Sequence, residues 1–523
     1  MSDIPHYDVA VVGYGPTGVT AANLLGAAGL RVVVVERDAE VYARARAIST
    51  DEEVLRIWQQ VGLAEDLARD MLANLPIEFV DACGEPFLNA TFTPAGHGYP
   101  PQSFLYQPAL EEILRAGVTR FGNVELLLAH ECLRVRQDTD GAELLLAADG
   151  GDQLTRVRAS WVIAADGGSS PTRGQLGIGF EGRTYETRWV VIDTAIKRDW
   201  PGHDRLRFHC DPRRPAVDCP TPLGHHRWEF PVLPGEDERE LVSEDAVWRL
   251  LKRQDITPGH VDILRAVVYS HHVRFAARWR VGRVFLAGDA AHAMPPWIGQ
   301  GMAAGVRDAA NLCWKLAAVV RGELPAAVLD SYEIERKPHV REVTRRAVFV
   351  GRVITERRPV VTALRDRLVR PICRLPATTR LLIRRSWVPE ARYPHGLLGT
   401  GGSAVGRKIP QPWVLDGHGV RQRLDDLTAS RWTVLSTGSA EPAAWTVAGA
   451  ALLTVLPPGS PARPGSVVDT DGVLTAWLRA HRAEVLALRP DSFVYAAANT
   501  ETKLAPPPTG LCPAADTRRK QTA

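Results

Sequence analysis

The sequence predicts a mixed α/β protein: an open sheet interrupted by a β-rich insertion, then a helical segment and a second, smaller α/β unit. Three observations carry this. Residues 7–38, YDVAVVGYGPTGVTAANLLGAAGLRVVVVERD, run from an apolar stretch through a knot of glycines and a small-residue helix to a second apolar stretch and an acid, which is one β-α-β unit. From about 180 to 280 the pattern alternates as strands do, in TRWVVIDTAIKRD, RLRFHCD, HHRWEFPVLPG and AVVYSHHVRFAARW. GRVFLAGDAAH then returns to a strand and loop, followed by a long helix over 299–320.

The remaining elements fall between these marks. Residues 40–72 read as loop and helix, with a helical apolar period in STDEEVLRIWQQVGLAEDL. Segments 74–94 and 125–148 alternate like strands, LYQPALEEILRAGVTRFG is an amphipathic helix, and ASWVIAADG (159–167) is a buried strand ending in a loop. Residues 325–395 are Arg-rich and helical, interrupted by Pro359, Pro371 and Pro376. YPHGLLGTGGSAVGRKIPQPWV is a Gly/Pro linker, and a fresh α/β pattern runs from about 405 to 497. The end, KLAPPPTGLCPAADTRRKQTA, has the composition of a disordered terminus. The expected division is therefore 1–180 with 280–350, an insertion over 181–279, a helical segment and linker over 351–400, a unit over 401–500, and a tail over 501–523.

Composition excludes several classes. A formal net charge of +3 over 523 residues, with no Lys/Arg run dominating a face, argues against nucleic-acid binding. No 18-residue apolar run is free of charges and the N-terminus enters a strand directly, so neither a membrane span nor a signal peptide is expected, and the cytoplasm is the expected location. The seven cysteines form no CxxC pair and no Cys/His spacing suited to a metal, so they are expected to be reduced thiols, with no metal bound.

In VVGYGPTG, Gly13 permits the tight strand-to-helix turn, Gly15 lets the backbone approach a pyrophosphate, and Gly18 lets the helix pack closely. Pro16 and Thr17 open that helix, whose free N–H groups favour phosphate. Glu36, beside Arg37, ends the second strand; an acid there accepts hydrogen bonds from a ribose diol and repels a 2′-phosphate, which disfavours NADP(H). The motif alone leaves NAD and FAD open.

Two further stretches bear on that choice. VIAADGGSSPTRGQLGI puts Asp166 at a strand end, and about 120 residues later GRVFLAGDAAHAMPPWIGQGMAAGVRDAANLCWKL puts Asp289 at another, before Pro295-Pro296 and a glycine-started helix. In this order they resemble the fingerprints of the class A, single-component FAD-dependent aromatic hydroxylases of the para-hydroxybenzoate hydroxylase fold, over about residues 1–400. QPALEEILR, HRWEFPVLPGED and GQGMAAGVRDAANLCWKLAAVVRG resemble in particular the 3-(3-hydroxyphenyl)propionate hydroxylase group and its antibiotic-tailoring relatives. VGRKIPQPWV, RLDDLTASRWTVLS and LALRPDSFVYAAA resemble the thioredoxin-like domain that several of these enzymes carry, here without the CxxC needed for dithiol chemistry.

The resemblance implies a Rossmann-like FAD-binding domain with an inserted β-rich substrate domain, FAD held non-covalently, and NAD(P)H as a reductant that docks transiently. It implies monooxygenation of a phenolic or polyketide-like aromatic by O2 through a flavin C4a-hydroperoxide. It assigns Asp289 to the ribityl chain, Asp166 and Gln107 to the cofactor, and Arg46, with Arg44 as the alternative match, to the early loop near flavin and pyrophosphate. The helix begun by Gly299, Gln300, Gly301 and Met302 would aim its N–H groups at the N1–C2=O edge of the flavin. Ala303 stands where the family usually has Asn, leaving only backbone contacts there. Pro295 and Pro296 would offer backbone at the reactive flavin edge.

GTGGSAVG (399–406) lacks strand flanks, which disfavours a second dinucleotide domain. The alternative reading is a non-hydroxylating flavoprotein of the same fold, either an oxidase or dehydrogenase or a binding-only homologue. The expected assembly is a monomer or homodimer acting on a small aromatic substrate. The base that ionises it is open among His225, His226, His271, His272 and Tyr269, because adjacent histidines on a strand face opposite ways. Arg205, Arg207, Arg213 and Arg214 are candidates for holding a substrate carboxylate.

Overall fold

The structure, a computed structural model, describes residues 4–41, 46–90, 92–148, 151, 153–373, 375–438, 442–499 and 502–512. At its centre β1 (His6–Val12) lies between Gln153–Ala164 and β2 (Val32–Val35), parallel to both. Val124–Leu127 extends this parallel sheet beyond β2, and Val284–Leu286 extends it on the other side. The β-branched runs suit this position: Val9, Val11, Val32 and Val34 have no exposure, as expected of strands covered on both faces. The helix α1 (Pro16–Ala27) covers one face together with the long helix Gly301–Val320. The hairpin His130–Gln137 and Ala142–Ala148 is attached to Gln153–Ala164 antiparallel.

A second sheet forms the floor of the insertion. Its order is His292–Ala293, Val261–Ala276, Phe180–Ile196, His225–Pro231, Ala216–Thr221, Leu206–His209, Ile77–Val80 and Pro86–Ala90. The sheet therefore reaches beyond the expected 181–279. Leu206–His209 pairs in parallel with Ile77–Val80, so two strands from the first segment of the chain cover what would otherwise be an open edge. Two short helices, Glu238–Leu241 and Glu244–Lys252, interrupt the strand pattern, each capped by the side chain of the residue before it, Asp237 and Ser243. The helices Ser331–Thr355, Pro359–Ile372 and Pro376–Ser386 follow, and Ile383 and Trp387 pack against Phe79, Phe87 and Phe208 of the sheet.

The C-terminal unit is a seven-stranded mixed sheet, with Ser466–Asp469, Ala451–Leu456 and Thr433–Ser436 parallel at its centre. Buried ion pairs weld it to the rest. Arg56 donates to both carboxylate oxygens of Asp425 at 2.6 Å. Arg489 donates to Glu335 at 2.8 and 2.9 Å, with neither side chain exposed. Burial alone would raise Glu335, but Arg489 and Lys315 hold it down at about 2. The expected disordered tail is ordered at its start: Trp445 Nε1 donates to the carbonyl of Ala505, and Leu504 and Leu511 pack on the core. Its end, 513–523, lies outside the described residues, as does Arg44.

Candidate active site

The glycine turn opens a groove along the carboxyl ends of the parallel strands. Gly13 has φ +97°, and a Cβ there would stand 2.4 Å from the carbonyl oxygen of Ala165, so both backbone and space require glycine. Gly18 meets the carbonyl of Gly13 in the same way, at 1.9 Å. Gly15 differs: a Cβ there would meet nothing within 4 Å, because that face is open to the groove. Glu36 accepts from the backbone N–H of Tyr14 at 2.6 Å and of Asp38 at 3.0 Å, so it braces the turn as well as facing the groove. Asp166 accepts from Ser170 Oγ and from the backbone of Thr172, and it lines the groove beside Arg37, which is exposed.

From there the groove, about 200 Å³, continues into a chamber of about 320 Å³, the two sharing Gly15, Pro16, Arg46, Gln107, Ala165 and Gly167 on their walls. Asp289 stands in the chamber wall. Its carboxylate faces the cavity and accepts no hydrogen bond from any described residue, and burial of the surrounding turn raises its pKa. The turn is held from behind. Asp308, fully buried, accepts from Gly288 N, from His292 Nε2 at 2.6 Å and from Arg336 Nε at 2.9 Å. Arg173 adds a hydrogen bond to the carbonyl of Ala290 and packs over the ring of Phe180.

The helix Gly301–Val320 begins at the chamber without a side-chain cap, so the N–H groups of Gly301 and Met302 are free toward the space. Gly299 reaches that start with φ +63°, where a Cβ would lie 1.9 Å from Ser49 Oγ. Gln300 turns inward: it donates to Asp51 and accepts from Arg307, which also pairs with Asp51 and Glu53. Ala303 is fully buried behind it. Gln107 spends its carbonyl oxygen on the backbone N–H groups of Arg46 and Ala47, and donates to Glu111, so it fixes the early loop while bordering the groove. Thr17 lines the chamber, as does Pro296, while Pro295 leads into the short turn Pro296–Ile298.

The far half of the chamber is walled by Phe104, Leu206, Phe208, Val217, Met294, Trp297 and Trp387, with Glu229 among them. None of the five candidate bases lines it among the described residues. His226 is buried against Asp218 on the opposite face of the sheet, His225 stacks on Tyr106, His272 contacts Thr184, and His271 lies behind Trp297 in a neighbouring cavity with burial pushing it down to about 4. The four candidate arginines are committed elsewhere: Arg205 to Glu78, Arg207 to the carbonyl of Pro201, Arg213 to Asp211 and Arg214 to Glu236. Sequence reasoning missed Glu229, Asp308 and the Arg307 cluster; the signal for the last two was charged residues inside an otherwise apolar helix.

The donor set suits FAD: an open backbone at Gly15, an unpartnered acceptor at Asp289, free N–H groups at a helix start, and apolar walls beyond. Residues 6–347 match the FAD binding domain family, and residues 406–505 match the HcaD C-terminal domain. A 3-(3-hydroxy-phenyl)propionate/3-hydroxycinnamic acid hydroxylase of Burkholderia cenocepacia is 36% identical over 513 residues, 93% of each chain. Among solved structures, the flavin-dependent monooxygenase PieE, in complex with FAD and substrate, superposes with TM-score 0.80 at 23% identity over 94% of this chain and 96% of its own, a likeness of fold. OxyS anhydrotetracycline hydroxylase from Streptomyces rimosus superposes with TM-score 0.74 at 26% identity over 95% and 96%. No helix among the described residues is long and apolar enough to cross a membrane. The chain belongs to the FAD-dependent aromatic hydroxylases, as a relative of the 3-(3-hydroxyphenyl)propionate hydroxylases.

Proposed function

We propose that this chain hydroxylates a phenolic ring lying in the apolar half of the chamber, with FAD along the groove and NAD(P)H docking transiently. The observation that carries the reading is the two-ended cavity, with Gly15, Asp289 and the open helix start at one end and Phe208, Val217, Trp297 and Trp387 at the other. FAD, once reduced by NAD(P)H, supplies the activation of O2 from which one oxygen atom reaches the ring. The chain's part is binding and exclusion. Gly15 leaves room for the pyrophosphate, Asp289 accepts a ribityl hydroxyl, and the N–H groups of Gly301 and Met302 offset negative charge on the flavin edge. The aromatic walls keep water from the reacting end.

The relative's substrate names the first compound to try, 3-(3-hydroxyphenyl)propionate, and a polyketide-like polycyclic phenol is the second. The test follows NAD(P)H consumption by the FAD-loaded protein against both, with peroxide measured in parallel. Consumption stimulated by a phenol, with a hydroxylated product and little peroxide, is expected. Flavin reduction that yields no oxygenated product from any phenol would return the reading to a non-hydroxylating flavoprotein.

A further inference from the structure

We propose that Glu229 is the group that takes the proton from the phenol of the substrate. This rests on the function proposed above and deepens it. Of the residues lining the chamber, Arg46, Asp289 and Glu229 alone among those described carry ionisable side chains. Asp289 stands at the glycine end, and Arg46 belongs to the early loop held by Gln107. Glu229 stands at the apolar end, on strand His225–Pro231, opposite Val217 and Val191 of the neighbouring strands. It is 8% exposed, yet its carboxylate accepts no hydrogen bond from any described residue. A buried carboxylate without donors is costly unless something else supplies one. The O–H of a phenol in the chamber is such a donor.

The surroundings suit a base better than a fixed anion. Arg227, two residues earlier on the same face, is turned to Asp193, donating to it at 2.7 Å; Arg265 takes the other oxygen of Asp193 at 2.5 Å. Asp193 is thus closed to a substrate, while Glu229 is open. The charged and titratable neighbours of Glu229 are Arg227 on its own strand, Asp193 and, behind it, Arg265 on the two adjoining long strands, and the buried thiol of Cys219 on strand Ala216–Thr221. The other wall residues, Met294, Trp297 and Trp387, bear no charge. Burial raises Glu229 above the ordinary carboxylate range, Arg227 opposes this and Asp193 adds to it. A raised pKa brings the carboxylate nearer to that of a phenol, which favours transfer.

The step balances within the cavity. The phenol O–H bond breaks, the proton joins a carboxylate oxygen of Glu229, and the bonding electron pair stays on the ring oxygen. One negative charge is exchanged for another, and the Arg227 guanidinium remains close to both. When the hydroxylated ring leaves, the proton returns to the same oxygen.

Two readouts test this, one independent of turnover. The first compares 2-naphthol with its methyl ether by equilibrium dialysis against FAD-loaded protein. The parent should bind the naphthol roughly 10- to 150-fold tighter, the range for a hydrogen bond to a charged group. Glu229→Leu should bring that ratio close to one. The second is kcat/KM against pH for a hydroxylated phenol. In the parent the rate should fall as pH drops through the raised Glu229 value. In Glu229→Gln it should be roughly 10²- to 10⁴-fold lower, and should climb with pH towards the phenol's own pKa of about 10. The deficit should narrow for nitro-substituted phenols that are already ionised. FAD content and melting temperature of both variants check that they fold. An unchanged naphthol-to-ether ratio in Glu229→Leu, or an unchanged pH profile in Glu229→Gln, overturns the assignment. A ratio that collapses in Glu229→Leu while the parent hydroxylates no phenol leaves the contact standing and rejects the function instead.

Discussion

Replacing Asp289 with alanine separates cofactor affinity from fold stability, because of how this carboxylate is held. It accepts no hydrogen bond from a described residue and faces the cavity, so its removal leaves no buried donor unsatisfied. The turn that presents it is fixed by Asp308, Arg173 and His292, none of which changes. With FAD placed as proposed, the lost contact is one acceptor to a ligand hydroxyl, worth about 1–3 kcal/mol, or roughly 5- to 150-fold in FAD affinity. Stability of the cofactor-free protein should move the other way. Asp289 has a folded-state pKa above its ordinary value, so it binds more protons folded than unfolded. Such a group costs stability above the folded value and nothing well below the unfolded one, near pH 4. The variant should therefore match or exceed the parent's melting temperature at pH 8, and the difference should vanish below about pH 4. Flavin fluorescence titration gives the affinity, and differential scanning calorimetry of the stripped protein gives the stability. FAD affinity unchanged within twofold, or a cofactor-free variant that melts several degrees lower, would refute the reasoning.

Further outcomes are expected. Glu36→Arg should weaken FAD binding, since the backbone of Tyr14 and Asp38 loses its acceptor too, while the NADH-to-NADPH ratio of kcat/KM holds; a tenfold swing towards NADPH, about 1.4 kcal/mol, would hand the glycine turn to nicotinamide. Arg489→Met leaves Glu335 buried with Lys315, Asn311 and the backbone N–H of Leu397, and breaking such a pair costs about 3–5 kcal/mol, so a melting temperature equal to the parent's would contradict the burial of that pair. Gly305→Ala puts a Cβ 2.1 Å from Thr17 Oγ1 and should destabilise by about 1–3 kcal/mol; adding Thr17→Ala should recover part of it, and no recovery would place the strain elsewhere. Burial, with Arg56 beside His97 and Arg336 beside His339, pushes both histidines down to about 3 from the ordinary 6.5. A depressed histidine binds fewer protons folded than unfolded, so stability is full above about 6.5 and falls as pH drops from there towards 3. Melting temperatures between pH 7.5 and 5 should decline, and a slope unaltered in the His97→Gln, His339→Gln double variant would count against these two residues.

The parallel sheet and its glycine turn were legible because local sequence determines them: four consecutive valines, a turn only glycine fits, and an acid at a fixed distance. The position of Asp289 in the turn after a strand was legible for a related reason, since a strand end followed by a glycine-started helix is a local pattern. The substrate end was not. In HRWEFPVLPG alternation says that Arg227 and Glu229 share a face but not which face meets the cavity, and the histidines looked the more reactive choice. His226 proved to lie on the far face with Asp218, leaving Glu229 toward the chamber. The pairing of Ile77–Val80 with Leu206–His209 joins segments far apart in sequence, and no local signal announces such a contact. The same holds for Arg56 with Asp425, 369 residues apart.

Those long-range ion pairs also set a timetable for the nascent chain. Glu335 is synthesised 154 residues before Arg489, and Arg56 is 369 residues ahead of Asp425. At about 5–20 residues per second, Glu335 waits roughly 8 to 30 s, and Arg56 longer, for its partner to be translated. During that interval the N-terminal two-thirds can form its parallel sheet, with Glu335 held by Lys315 and Asn311 and still without Arg489. Lys408 reaches Glu53, which shares Arg307 with the start of the helix at the chamber. The contacts of Glu53, Arg56 and Glu335 with the C-terminal unit therefore form only once residues 408, 425 and 489 have been made.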